Sequence, residues 1–173
     1  MASKTSLLPL VRSFDWEAVA ASFQKRPSLV RHRDELGASP HYSLYAAAYN
    51  RDTEAIRLLV QYVANIEESS GRGETPLLGA VGWSHFEAAE GMLECGANVN
   101  AQNDRGMTAA HLMLKKNSDY EPFALLARYK ARFDLPDKQG RTASEIMSRK
   151  RDPRFKALAA DSLTRVRPAR QRG

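Results

Sequence analysis

Between Gly73 and Asn100 the chain reads GETPLLGAVGWSHFEAAEGMLECGANVN, and its apolar positions follow a helical rather than an alternating rhythm. Leu77, Ala80 and Val81 stand at i, i+3 and i+4 and share one face. Ala89, Met92 and Leu93 repeat that spacing. Polar residues punctuate the corners. Thr75 is placed to accept a hydrogen bond from an orphan backbone N–H and cap the first helix. Pro76 fills the first helical position, where a missing N–H costs nothing. Ser84, with Glu87 three residues on, reads as a capping box opening the second helix. Gly96 suits the left-handed residue that closes it. The pattern predicts helix, tight turn, helix, loop. Each helix has about two to three turns and is too short to persist alone in water.

The unit recurs. Thr108 lies 33 residues after Thr75 and Thr142 lies 34 after Thr108; Gly73, Gly106 and Gly140 keep the same intervals. An acidic residue near the start of the second helix gives an independent marker: Glu17, Glu54, Glu87 and Glu121, the last three spaced 33 and 34 apart. In the copy GMTAAHLMLKKNSDYEPFALLARYKARFD, Ala109 stands where Pro76 stood and one extra residue falls near Asn117. The copy HYSLYAAAYNRDTEAIRLLVQYVANIEE lacks Thr-Pro in register, but Ser39-Pro40 falls three residues early, so its first helix is expected to begin a turn sooner. The first copy starts at Thr5. The last, from Gly140, is degenerate, with Asp152-Pro153 a fresh helix start and Phe155, Leu158, Ala159 and Leu163 an apolar stripe.

A period near 33 with a T-P-L-H-x-A opening resembles the ankyrin repeat. The resemblance covers residues 5–163 and is strongest in the third and fourth copies. It implies an all-α solenoid of about five stacked helix-turn-helix repeats with hairpin-like finger loops. The expected divisions are an N-terminal capping repeat at 1–33, repeats at 34–68, 69–101 and 102–134, a C-terminal capping repeat at 135–163 and a basic tail at 164–173. Terminal repeats depart from the pattern because their outer faces meet water.

Composition narrows the setting. The 173 residues, 43% hydrophobic and 27% charged, fit one globular domain. A lone cysteine, Cys95, excludes an intrachain disulfide and multi-cysteine zinc sites and suits a reducing compartment. The apolar run from Leu7 to Val11 is broken by Pro9 and followed by Arg12, a poor signal peptide. No stretch approaches the roughly 18 apolar residues of a membrane span. A cytoplasmic monomer is expected. The net charge of +6 is unevenly spread: residues 149–173 carry nine Lys/Arg against two Asp, and the rest is nearly neutral.

Catalysis needs convergent groups within reach of one another, and the sequence offers none. No His/Cys/Asp cluster has metal-ligand spacing, and SSGRGE is not followed by a phosphate-loop lysine. No catalytic, cofactor or metal residue is expected. By resemblance, His111 braces its helix start and His85 stands at the inter-helix turn. The resemblance further implies a protein partner gripped by the finger tips and the exposed ends of the first helices. The fingers then carry Glu35, Leu36 and Ala38; Gly71, Arg72 and Glu74; Asp104, Arg105 and Met107; Lys138, Gln139 and Arg141. The helix ends carry Arg12 and Ser13, Tyr49 and Asn50, Gly82 and Trp83, Lys115 and Lys116. Trp, Tyr and Arg are the residues that most often anchor interfaces. The partner-binding expectation therefore centres on Tyr49, Arg72, Glu74, Trp83, Asp104, Arg105, Met107, Lys115, Lys116, Lys138 and Arg141. Arg72, Arg105 and Arg141 recur on successive fingers, a column that fits either a partner with acidic groups or a plain solvated charge row; the expected role is that of an adaptor, inhibitor, effector or immunity-type protein. The competing expectation is nucleic-acid or acidic-surface binding by the tail, RVRPARQRG, with four arginines in nine residues.

Overall fold

The computed structural model describes residues 7–26, 40–62, 65–116 and 119–166. Within them ten helices follow one another: α1 (Leu7–Arg12), α2 (Trp16–Lys25), α3 (Pro40–Tyr49), α4 (Thr53–Val60), α5 (Pro76–Gly82), α6 (Phe86–Glu94), α7 (Ala109–Lys115), α8 (Tyr120–Arg128), α9 (Ala143–Ser148) and α10 (Pro153–Val166). Odd-numbered helices form an inner row, with α3 on α5 on α7 on α9. Even-numbered ones form an outer row, with α2 on α4 on α6 and α8 on α10. This is the stacked helical solenoid the period implies. Glu35, Leu36 and Ala38, the insertion at Asn117 and the tail beyond Val166 lie outside the described residues.

The caps explain why such short helices form. The Thr75 side chain accepts from Leu78 N–H at 3.3 Å, and Pro76 occupies the first position of α5. Thr142 and Glu145 make a reciprocal capping box on α9. Asp15 and Asp52 cap α2 and α4. Helix α3 starts at Pro40, about one turn early, as Ser39-Pro40 suggested.

Ser84 does not cap α6. The N-cap is His85, and Ser84 sits one residue earlier with φ 63°. The cause is the turn. Ser84 N–H bonds the carbonyl of Val81 and His85 N–H that of Ala80, which closes a Schellman-type helix end requiring a left-handed residue between the helices. Arg51 (φ 60°) and Phe14 (φ 58°) do the same in the two preceding pairs.

Apolar stripes from each pair seal against the next. Leu77, Leu78, Ala80, Val81, Ala89 and Met92 are all buried in one core that runs the length of the stack. Polar groups stitch the pairs together. Trp16 Nε1 donates to Asp52 at 2.8 Å, so one carboxylate both caps α4 and holds the preceding pair. Asn98 N–H donates to Glu67 at 2.7 Å, and Arg132 N–H to Asn100 at 2.7 Å.

The loops between pairs are hairpin fingers. Ser70, Asn103 and Asp137, each one repeat apart, donate their N–H to the carbonyls of Glu74, Met107 and Arg141. The same three side chains accept from backbone N–H groups further round the turn: Arg72 for Ser70, Arg105 and Met107 for Asn103, Gln139 and Arg141 for Asp137. Successive fingers are joined by Asp104 N–H to Arg72 carbonyl at 3.2 Å and Lys138 N–H to Arg105 carbonyl at 2.9 Å. Gly73 (φ 68°) and Gly106 (φ 72°) supply the left-handed turn and the close approach; a Cβ on Gly106 would stand 2.9 Å from Lys138 N.

The outer row is interrupted once. Helices α6 and α8 stand apart across a cleft of about 810 Å³ lined by Phe86, Glu87, Glu90, Pro122 and Leu125 and bridged by the Arg128–Glu90 ion pair at 2.9 Å. Helix α4 does pack on α6, where a Cβ added to Gly91 would stand 3.4 Å from Thr53 Cγ2, an ordinary contact. The equivalent position in α8 is Leu125.

Candidate functional site

The fingers and the C-terminal ends of the inner helices form the two walls of a groove. Two cavities lie along its floor. One, of about 360 Å³, is bordered by Tyr45, Glu74, Trp83, Arg105, Met107 and Lys115, with Lys116 at its edge. The other, of about 370 Å³, is bordered by Arg105, Met107, Leu114, Lys115, Arg141 and Ile146. Arg105, Met107 and Lys115 line both and form the ridge between them.

An aromatic shelf stands at one end. Trp83, the residue closing α5, is half-buried, with the ring of Tyr45 edge-on at 4.6 Å and that of Tyr49 at 4.9 Å. Tyr45 reaches this position because residue 79 is glycine: a Cβ there would meet the Tyr45 ring at 2.5 Å. Tyr49 is 57% exposed. His85 supports the shelf from below, its Nδ1 3.3 Å from the carbonyl of Ala48.

The far wall is braced by His111, which is buried. Its Nδ1 accepts from the Thr108 N–H at 3.2 Å and lies 2.9 Å from Thr108 Oγ1; its Nε2 lies 3.0 Å from the carbonyl of Arg141. The tautomer protonated on Nε2 satisfies every one of these contacts. A threonine cap, a histidine brace and a finger tied to the next repeat thus form one linked unit.

Residues 19–103 match the family model for ankyrin repeats in three copies. The chain belongs to the ankyrin-repeat family. Inversin of Homo sapiens is 32% identical over 123 residues, 70% of this chain and 12% of that protein. Rabankyrin-5 of Mus musculus is 34% identical over 76 residues, 44% of this chain and 6% of that protein. The ankyrin repeat and KH domain-containing protein mask-1 of Caenorhabditis elegans is 28% identical over 102 residues, 58% of this chain and 4% of that protein. The chain therefore spans a small part of the length of these relatives. Ankyrin repeats are in general protein–protein interaction modules, and the family is typically non-enzymatic.

Of the residues singled out in this ankyrin stack, the groove brings together Glu74, Trp83, Arg105, Met107, Lys115, Lys116 and Arg141, with Tyr49 on the outer side of Trp83. Arg72, Asp104 and Lys138 stand on the finger tips outside both cavities, where their backbones join one finger to the next. Arg141 is already engaged. Its guanidinium donates to the buried carboxylate of Asp137 at 2.6 Å and to Gln139 at 2.6 Å. Among the described residues, Arg105, Lys115 and Lys116 make no side-chain ion pair, and Glu74 is the one carboxylate beside them in the first cavity. The ankyrin groove therefore keeps unspent positive charge at its centre.

Tyr45 and Ile146 are groove residues that the sequence pattern did not single out. Burial pushes the Tyr45 phenol above its ordinary value, Glu74 adding to the shift and Arg72 opposing it. Burial likewise raises the Cys95 thiol, against Arg57 and with Glu94, which leaves less of the reactive thiolate. Among the described residues, no group of three or more His, Cys, Asp or Glu is placed to hold a metal ion, and no helix is long and apolar enough to cross a membrane.

Proposed function

We propose that this chain binds a partner protein in the groove between its fingers and inner helices, acting without chemistry of its own. The observation that carries the reading is the juxtaposition of a solvent-facing aromatic shelf with cations that no internal carboxylate neutralises. Large aromatics and arginine gathered at one concave place are the usual anchors of an interface. The partner surface is acidic, since Arg105, Lys115 and Lys116 outnumber Glu74. An interface of ordinary size buries about 1,200–2,000 Å² in total, enough to cover both cavities and their walls. A cytoplasmic setting, with the protein monomeric until it meets its partner, fits the single unpaired thiol.

The test is capture of the partner from native lysate by the tagged protein, with identification by mass spectrometry. Trp83→Ala combined with Arg105→Glu is expected to abolish capture while the circular dichroism spectrum stays unchanged. Retention of the partner by that folded double variant overturns the placement of the interface.

A further inference from the structure

Resting on that concave-face reading, we propose that the groove takes an extended acidic segment of the partner in the polyproline-II conformation, with two apolar side chains three positions apart seated one in each cavity. The two cavities are nearly equal, about 360 and 370 Å³, and lie on either side of α7 with the Arg105–Met107–Lys115 ridge between them. Apolar surface waits at both ends. Of the three large hydrophobic side chains exposed among the described residues, Ile146, 38% exposed, lines the second cavity, and Tyr49 packs against Trp83, which lines the first.

Spacing selects the conformation. Packed helices stand about 8–10 Å apart, so neighbouring inter-helix cavities are separated by roughly that distance. A polyproline-II chain has three residues per turn and rises about 3.1 Å per residue, which puts residues i and i+3 on one face about 9 Å apart. A β-strand presents i and i+2 at about 7 Å or i and i+4 at about 13 Å. Neither matches.

The intervening positions, i+1 and i+2, then point to the two walls. One wall is the fingers, with Arg105 and Arg141; the other is the inner-helix ends, with Lys115 and Lys116. Carboxylates at i+1 and i+2 meet a cation on either side. Arg141 is held in place by Asp137 and has further N–H groups to offer, while Arg105 is uncommitted.

The experiment is fluorescence anisotropy with short labelled synthetic peptides of Pro/Glu background. One carries two leucines at i and i+3, an isomer carries them at i and i+2, and a third replaces Glu with Lys. The i, i+3 acidic peptide is expected to bind about tenfold or more tightly than its isomer, the value of one fully buried apolar side chain. The lysine peptide is expected not to bind, and Ile146→Glu is expected to erase the preference between isomers. Equal affinity for the two isomers overturns the spacing, as does a preference that survives Ile146→Glu. Register-blind binding that Trp83→Ala plus Arg105→Glu removes leaves the concave-face reading standing; acidic-peptide binding that survives the double variant overturns both. Absence of binding by every acidic peptide, or displacement of the peptide by an equimolar single-stranded oligonucleotide, overturns the proposal.

Discussion

Gly106 and Gly140 offer a matched pair of perturbations on adjacent fingers. Both have left-handed backbones, φ 72° and 75°. A Cβ at Gly140 meets open space, whereas one at Gly106 meets Lys138 N at 2.9 Å and the carbonyl carbon and Cα of Asp137 at 3.1 Å. These are backbone atoms and cannot rotate away. Forcing alanine into the left-handed region costs about 1–2 kcal/mol, and the reduced freedom of the unfolded chain returns about 0.4–1 kcal/mol. Gly140→Ala is therefore expected to cost about 1 kcal/mol. Gly106→Ala pays the same and also strains or breaks the Lys138 N–H to Arg105 carbonyl bond. That adds about 0.5–1.5 kcal/mol, for a total near 2 kcal/mol. Urea unfolding of the two variants measures the difference directly. Because Arg105 and Met107 sit on the displaced finger, Gly106→Ala is also expected to weaken partner capture, and Gly140→Ala is not. Equal destabilisation by the two substitutions refutes the reasoning that contact between fingers fixes their register.

Asp52→Ala removes both a helix cap and the acceptor for Trp16 Nε1; a lost cap costs about 1 kcal/mol and a part-buried N–H left unpaired another 1–3 kcal/mol or so, so urea titration should show a loss of roughly 2–4 kcal/mol while Asp52→Asn loses far less. The Arg141 guanidinium, then the backbone N–H groups of Arg141 and Gln139, hold the Asp137 carboxyl at about 2 against an ordinary 3.8, with burial opposing. Since the folded value lies below the unfolded one, its stabilisation is present above 3.8 and is lost as pH falls towards about 2; thermal melts across that window should fall in the native chain and fall less in Asp137→Asn. Ser84→Gly relieves a left-handed residue and should raise stability by up to about 1 kcal/mol, read as an increase in urea midpoint.

Much of the fold was legible because the repeat writes each corner with a residue that does one job. Thr75, Pro76 and Thr142 start helices; Gly73, Gly106 and Gly140 turn the fingers; His111 braces. Ser84 misled because serine is a good cap in isolation, and the choice between cap and turn residue is made by two carbonyls, those of Ala80 and Val81, that only the folded helix end presents. Ile146 went unnoticed because it belongs to the degenerate last copy, where the period is weak. Tyr45 needed Gly79 opposite it, a pairing across two repeats that spacing along one helix does not reveal. The internal use of Arg141 was within reach: Asp137 stands one repeat after Asn103, and both brace their own fingers, so a carboxylate at that register was bound to draw the nearest guanidinium.

The gap between α6 and α8 has a mechanical meaning. Across it the even-numbered helices meet through the Arg128–Glu90 ion pair rather than through close helix packing, while the odd-numbered row runs on in front, so bending concentrates at that seam. Trp83 rides on one side of the seam and Ile146 on the other. Whatever widens or narrows the rear opening therefore changes the distance between the two ends of the front surface, and a ligand that spans them stiffens the whole stack.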